Sequence, residues 1–176
     1  MKAGPVALSQ LNNESLEGFI AACGRLFEHS PWVAARTWPR RPFASLAALH
    51  EELVSTMGRA GHDEKVALIR SHPDLVGRLA AGSALSAESA QEQAAAGLDS
   101  LSQEDAERFT EYNKEYKEKF GFPFVICARE NKKEAILRAF PRRLAQSREQ
   151  EIATALSEIA KIAWLRLQDA VTEAQP

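Results

Sequence analysis

Hydrophobic residues recur every three or four positions along most of this chain, the spacing at which side chains share one face of an α-helix. Strand-like alternation occurs only in short apolar runs. Helices are predicted over about 15–29, 45–58, 63–70, 102–120 and 148–171. Pro31, Pro39 and Pro42 predict a loop between the first two. The sequence therefore predicts an all-α fold.

The last predicted helix carries one charged residue within its apolar face. At about 100° per residue, Arg166 lies between Ile159 and Ile162 on the apolar arc. An unpaired charge is costly to bury, so three outcomes are open. The guanidinium reaches the surface, pairs with an internal carboxylate such as Glu92, or faces a pocket that receives an anion.

The composition is that of one ordinary globular domain, residues 1–176, with 26% charged and 45% hydrophobic residues. The net charge is -2, from 22 basic and 24 acidic residues spread along the chain. Neither a nucleic acid nor a membrane surface is therefore an expected partner. The basic cluster at 36–42 includes Trp38, which could stack on a base, but so short a charge run is more typical of a solvated loop.

Cysteine use and the N-terminus both favour a cytoplasmic protein. Cys23 and Cys127 lie among apolar neighbours, which is typical of buried, reduced thiols rather than of a disulfide framework. Residues 1–10 have no continuous apolar core of the kind found in a signal peptide. No stretch has the apolar length needed to span a bilayer.

Two short stretches hold polar residues that could do chemistry. His72 precedes Pro73, which predicts an exposed ring at the entrance of a new helix; the alternative is that His72 only caps that helix. On one helix, Ser89, Glu92 and Gln93 would point a hydroxyl, a carboxylate and an amide in the same direction. They could equally be ordinary helix-forming and capping residues.

A third stretch, 120–129, leaves a polar helix, turns at Gly121 and Pro123, and becomes wholly apolar. Core packing explains this hydrophobicity. A buried turn also leaves backbone N–H and C=O groups in need of partners, which suits a flat, amide-rich ligand. Both interpretations remain open at this point.

Two other functional classes are compatible with parts of the sequence. The pairs His62-Asp63 and His72-x-Asp74 resemble zinc or iron ligand sets of a metal-dependent hydrolase, but the C-terminal half adds no His or further Cys ligands at metal spacing. A non-catalytic helical adaptor would use the 120–127 segment and the last helix as core and interface.

With these motifs in hand, the chain resembles the 2-oxo-4-hydroxy-4-carboxy-5-ureidoimidazoline (OHCU) decarboxylases of uric acid degradation. The resemblance covers nearly the whole chain, since it extends to Phe27-Glu28-His29-Ser30-Pro31-Trp32-Val33, to Arg41-Pro42-Phe43 and to the 155–167 segment. It implies an all-helical bundle, for which we expect about seven to nine helices of ordinary length. It also implies a homodimer that converts OHCU to (S)-allantoin and carbon dioxide without metal or organic cofactor.

The resemblance further implies roles for particular residues. His72 would be the catalytic acid/base and Glu92 its assistant. The small ureide substrate would be bound by residues in three parts of the chain: Pro73, Ser89, Gln93, Phe124, Val125, Ile126, Cys127, Ala128 and Arg166. No metal-binding residue is expected.

Overall fold

A computed structural model of the chain describes residues 4–76 and 85–173. Within these ranges there are nine α-helices: α1 (Leu8–Leu11), α2 (Leu16–Cys23), α3 (Trp32–Thr37), α4 (Leu46–Arg59), α5 (His62–Arg70), α6 (Ala87–Ala95), α7 (Gln103–Phe120), α8 (Lys133–Leu144) and α9 (Arg148–Ala170). Short 3-10 turns occur at Trp38–Arg40 and Ala128–Glu130, and strands β1 (Val6–Ala7) and β2 (Val171–Thr172) form one parallel pair. The all-α prediction is confirmed.

The chain forms two compact units. Unit 1 contains residues 1–68 and 160–176, and unit 2 contains residues 69–159. The last helix, α9, contributes residues to both. That residues 1–176 make up a single domain stays a prediction.

Unit 1 is built on the buried faces of α2 and α4 and on the C-terminal part of α9. Phe19, Leu49, Leu53 and Leu167 are completely buried there. Ser45 caps α4, since its hydroxyl accepts a hydrogen bond from the N–H of Ala48. This start agrees with the predicted helix at 45–58.

Unit 2 has an aromatic core on α7 and α8. Tyr116 is fully buried, and its ring centroid lies 4.7 Å from that of Phe120 and 5.2 Å from that of Phe124. Phe124 in turn stacks on Phe140 at 3.9 Å. Through Phe122 and Phe124, the apolar 122–128 segment packs against this core.

Two predicted boundaries were wrong. The first long helix ends at Cys23 rather than near residue 29, and the poor helix former Gly24 is its C-cap. The predicted loop after Pro31 contains α3, whose Val33, Ala34 and Thr37 are buried. Pro31 itself is the N-cap of that helix, a position at which its missing N–H costs nothing. Six residues are too few for periodicity to indicate a helix.

Both cysteines are buried and free, as predicted. Among the described residues, no helix has the length and apolar character required to cross a membrane.

Candidate active site

His72 lies in the loop that follows α5. The backbone N–H of His72 donates to the carbonyl of Ile69 at 3.1 Å, and this bond continues the last turn of the helix. The side chain is only 7% exposed. The expectation of an exposed ring was therefore wrong, because the imidazole is buried in the loop at the exit of α5. The residues just beyond, 77–84, lie outside the described part of the chain.

The loop after His72 is held by side chains from two helices of unit 2. Gln93 on α6 donates from Nε2 to the carbonyl of Asp74 at 3.2 Å and accepts at Oε1 from the N–H of Val76 at 3.1 Å. Asn113 on α7 donates from Nδ2 to the carbonyl of Leu75 at 2.7 Å. These three bonds connect α6 and α7 directly to the histidine loop.

An ion pair adds to this attachment. Lys117, one turn after Asn113 on α7, lies 2.7 Å from the carboxylate of Asp74. The lysine is about half exposed, so the pair contributes little energy but restricts where the loop can lie.

Helix α6 presents the predicted polar face. Ser86 is the N-cap, and its hydroxyl accepts from the N–H of Ser89 at 3.1 Å. Ser89 and Gln93 are buried and Glu92 is partly buried. Ser89 is therefore not a cap, and it lies on the inner face together with Gln93.

The 122–128 segment is largely buried and irregular, as predicted. Gly121 ends α7 in the left-handed conformation, with a φ of 77°, which a glycine adopts without strain. The backbone of Cys127 is engaged on both sides: its N–H donates to Glu158 Oε2 at 2.9 Å, and its carbonyl accepts from Asn131 Nδ2 at 3.0 Å. The segment is thus held in one shape by side chains.

A buried charged network supports the same segment. Arg143 donates from Nη1 to the carbonyl of Val125 at 2.5 Å and from Nε to Glu151 Oε1 at 2.6 Å. Tyr116 also donates to Glu151, and the guanidinium of Arg143 lies 4.2 Å from the ring centroid of Phe124. Burial is the main reason that the pKa of the Tyr116 phenol is raised, so it remains a donor.

Sequence reasoning missed both Arg143 and Glu151, although a signal was present. Ile136 and Phe140 are buried on α8, and Arg143 follows Phe140 by three residues on the same face. Glu151 directly precedes the buried Ile152 and lies four residues before the buried Ala155. The test that singled out Arg166, a charge within an apolar face, would have found them.

Helix α6 packs against the 3-10 turn Ala128–Glu130, and Lys132 donates to the carbonyl of Ala95 at 2.8 Å. Burial, reinforced by the carboxylates of Glu130, Glu158 and Glu92, raises the pKa of the Cys127 thiol to about 11. Glu92 is therefore close enough to Cys127 to act on it electrostatically. Unit 2 brings together the histidine loop, the polar face of α6 and the 124–128 segment.

Arg166 belongs to unit 1. Its Nη1 lies 3.0 Å from Glu28 Oε2 and 3.3 Å from the carbonyl of Arg25, and both side chains of the ion pair are buried. Of the three predicted outcomes, the structure shows pairing with an internal carboxylate, and that carboxylate is Glu28. A contact of Arg166 with substrate stays a prediction.

Within residues 4–76 and 85–173, no group of three or more His, Cys, Asp and Glu side chains could hold a metal ion. Of the pairs that resembled metal ligands, His62 and Asp63 form the start of α5, and Asp74 pairs with Lys117.

Comparison with known proteins identifies the family. The family model described as OHCU decarboxylase matches residues 12–168. The chain belongs to the OHCU decarboxylase family. It is 44% identical over 167 residues to the 2-oxo-4-hydroxy-4-carboxy-5-ureidoimidazoline decarboxylase of Amia calva, covering 93% of this chain and 94% of that protein. It is 40% identical over 164 residues to the protein of that name in Haloferax volcanii, covering 93% and 95%.

Solved structures also resemble this OHCU decarboxylase family member. A crystal structure of (S)-allantoin synthase matches 96% of this chain with a TM-score of 0.76 and 26% identity. This chain spans only 54% of that one. A crystal structure of an OHCU decarboxylase in the presence of (S)-allantoin matches 88% of this chain and 96% of that one, with a TM-score of 0.65. At 21% identity, this second likeness concerns the fold alone.

Proposed function

We propose that this protein decarboxylates OHCU to (S)-allantoin and carbon dioxide in uric acid degradation. The observation that carries the proposal is the family match over residues 12–168, together with relatives of nearly the same length that bear this name. The nearness of the histidine loop, α6 and the 124–128 segment within unit 2 supports it further.

The decarboxylation requires few catalytic groups from the protein. When the bond to the carboxylate breaks and carbon dioxide leaves, the electron pair passes to the adjacent ring C=N, and the ring nitrogen takes up a proton from solvent. The hydroxyl on the carbon that lost the carboxylate then gives up its proton and becomes a carbonyl, and the neighbouring ureido-bearing carbon gains a proton. Because the substrate accepts its own electrons, no pyridoxal or thiamine cofactor is needed for this step. The protein has to position the substrate and move protons.

His72 is the proposed acid/base. Imidazole has an unperturbed pKa of about 6.5, which suits a group that takes a proton from a hydroxyl and gives one to carbon. Its burial excludes water, which would protonate both faces of the ring carbon, and delivery by one fixed group gives a single enantiomer. Glu92 is the proposed assistant: its carboxylate would orient the imidazole, favour the protonated form and oppose the substrate carboxylate electrostatically.

Substrate recognition is assigned to three groups of residues. Pro73 follows the acid/base directly in the chain, Ser89 lies on the buried face of α6, and Gln93 on the same face would both contact the substrate and hold the loop. The backbone of the 124–128 segment (Phe124, Val125, Ile126, Cys127 and Ala128) would hydrogen-bond the planar ureide. Arg166 would hold a carboxylate or ureido oxygen in its planar fork, which a lysine could not reproduce.

We further propose that the protein is a cytoplasmic homodimer. The family resemblance supports the dimer, and the two buried, free cysteines fit a reducing compartment. Sedimentation equilibrium that gives the mass of one chain would exclude the dimer, and recovery in a non-cytoplasmic cell fraction would exclude the compartment.

The experiment that tests the function supplies freshly generated OHCU to the EDTA-treated protein and follows (S)-allantoin by circular dichroism. Wild type should give one enantiomer much faster than the spontaneous reaction. His72→Asn should reduce kcat by at least about a hundredfold, the contribution typical of a general acid/base. The matched control is His50→Asn, whose Nε2 lies 2.8 Å from the carbonyl of Ala160 in unit 1; it should keep kcat within about twofold.

Wild type that does not accelerate the reaction would overturn the proposal in favour of a ureide-binding or adaptor protein. Optically pure product at the normal rate from His72→Asn would remove His72 as the proton donor and leave the decarboxylase activity standing.

A further inference from the structure

The peptide group between Leu75 and Val76 is held at both ends by side-chain amides. Its carbonyl accepts from Asn113 Nδ2 at 2.7 Å, and its N–H donates to Gln93 Oε1 at 3.1 Å. The two amides come from different helices, α7 and α6. A peptide group bonded at its oxygen and its nitrogen cannot rotate without breaking both bonds.

The backbone just after this peptide group is strained. Val76 has a φ of 62°, in the left-handed region that β-branched residues rarely adopt. Such a conformation persists only where the surroundings hold it, and strained residues cluster at functional sites. The bonds from Asn113 and Gln93 act on the peptide group that ends at Val76, so among the described residues they help to maintain this conformation.

The same bonds determine where His72 lies. The loop begins at the end of α5, where the His72 N–H bonds to Ile69 at 3.1 Å, and three residues later it reaches the clamped peptide group. So short a span, which includes the rigid ring of Pro73, leaves the imidazole little freedom once both ends are held.

We propose that Asn113 is a positioning residue: its amide, together with that of Gln93, holds the 75–76 peptide group so that His72 is placed for proton transfer. This inference rests on the proposed function of His72. Asn113 is 8% exposed, and within the described residues its Oδ1 has no hydrogen-bond partner. The bond to Leu75 is therefore the contact that a substitution of Asn113 removes.

Asn113→Leu keeps the branched shape and the number of side-chain heavy atoms, and it removes the donor. Without it the loop samples positions in which His72 is misplaced, so kcat should fall by about tenfold to a hundredfold. KM should stay within about twofold, since most of the proposed substrate contacts lie elsewhere, on α6, in the 124–128 segment and at Arg166. Asn113→Ser retains a shorter donor and should lie between wild type and Asn113→Leu.

Nuclear magnetic resonance supplies a readout independent of turnover. In Asn113→Leu the Val76 amide should exchange with solvent at least about tenfold faster, because its peptide group has lost one of two anchors. The ring resonances of His72 should shift in the same spectrum. A residue that only stabilised the fold would leave both signals unchanged under native conditions.

Asn12→Leu is the matched control. Asn12 also donates its amide to a distant carbonyl, that of Phe43 at 2.9 Å, and accepts from the Phe43 N–H at 2.8 Å, but it lies in unit 1. It should reduce thermal stability while leaving kcat, the Val76 exchange rate and the His72 resonances as in wild type.

Unchanged Val76 exchange and His72 resonances in Asn113→Leu would overturn the proposal, and so would a kcat loss no greater than that of Asn12→Leu. Failure of the wild type to accelerate decarboxylation would overturn the proposed function instead. In that case the Val76 and His72 signals would still decide whether Asn113 holds the loop.

Discussion

Arg143 and Arg166 each place a guanidinium on the buried face of a helix, and each is matched by a buried carboxylate. Arg143 bonds to Glu151, eight residues away, whereas Arg166 bonds to Glu28, which is 138 residues away. A buried charge requires a partner, and this requirement can be deduced from the helical pattern. Which carboxylate meets it depends on how the helices pack.

The sulfur of Cys127 provides a prediction at the residue scale. Since burial, reinforced by three carboxylates, raises the pKa of its thiol to about 11, the thiolate is on the order of one in a few thousand molecules at pH 7.5. Iodoacetamide should therefore leave native Cys127 unmodified and the activity intact. Below the pKa, alkylation should speed up by about tenfold per pH unit as the pH rises.

Mass spectrometry of the alkylated protein provides the measurement, and the protein unfolded in urea is the positive control. Rapid labelling of native Cys127 at pH 7.5 would mean that its environment is not the one described. The sequence suggested a buried thiol from its apolar neighbours, but the acidic residues that raise its pKa further come from α6, α9 and the 3-10 turn.

At the scale of elements, the 122–128 segment shows how an irregular stretch can be made rigid. It lies on the aromatic core of α7 and α8, and it is bonded to side chains of α8 and α9 at Val125 and Cys127. Its hydrophobicity was evident in the sequence. Its exact shape depends on Arg143 and Glu158, neither of which is adjacent in the chain.

The pair Arg143–Glu151 gives a prediction for this segment. Removing one partner leaves a buried charge uncompensated, so Arg143→Met should lower the free energy of unfolding by about 3–5 kcal/mol. Arg143→Met combined with Glu151→Leu should cost less than the sum of the single changes, because neither charge remains. Urea unfolding followed by far-ultraviolet circular dichroism measures all three variants.

Arg138→Met is the control, since Arg138 is exposed on the same helix and its replacement should change stability by less than about 0.5 kcal/mol. A cost for Arg143→Met as small as that of the control would show that the buried pair does not contribute to the stability of α8.

At the scale of the whole molecule, the chain traces two compact units, with α9 contributing to both. The parallel pair of β1 and β2 brings Val6 beside Val171 within unit 1. The proposed acid/base and most of the proposed substrate contacts lie in unit 2, and Arg166 lies in unit 1.

The prediction of a single domain can be tested with the natural fluorophores. All three tryptophans, Trp32, Trp38 and Trp164, belong to unit 1, whereas far-ultraviolet circular dichroism reports on the helices of both units. If residues 1–176 unfold as one cooperative unit, the two signals should give the same urea midpoint and the same slope. Midpoints that differ beyond experimental error would mean that the units unfold separately.

Local patterns in the sequence determined the all-α class, the starts of α4 and α7 at the capping residues Ser45 and Ser102, and the buried 122–128 segment. Each of these features depends on residues within a few positions of one another, so periodicity and capping are sufficient to predict it. Apolar spacing predicted the end of α2 and the start of α3 wrongly, because it does not indicate that α2 ends at Gly24 or that α3 begins after Pro31.

Only the tertiary structure decided how the candidate site is held. The bonds that hold the 75–76 peptide group come from side chains 17 and 38 residues further along the chain. The partner of Arg166 lies further away still. Such contacts form when helices distant in sequence pack together, and the spacing of residues within one helix does not predict them.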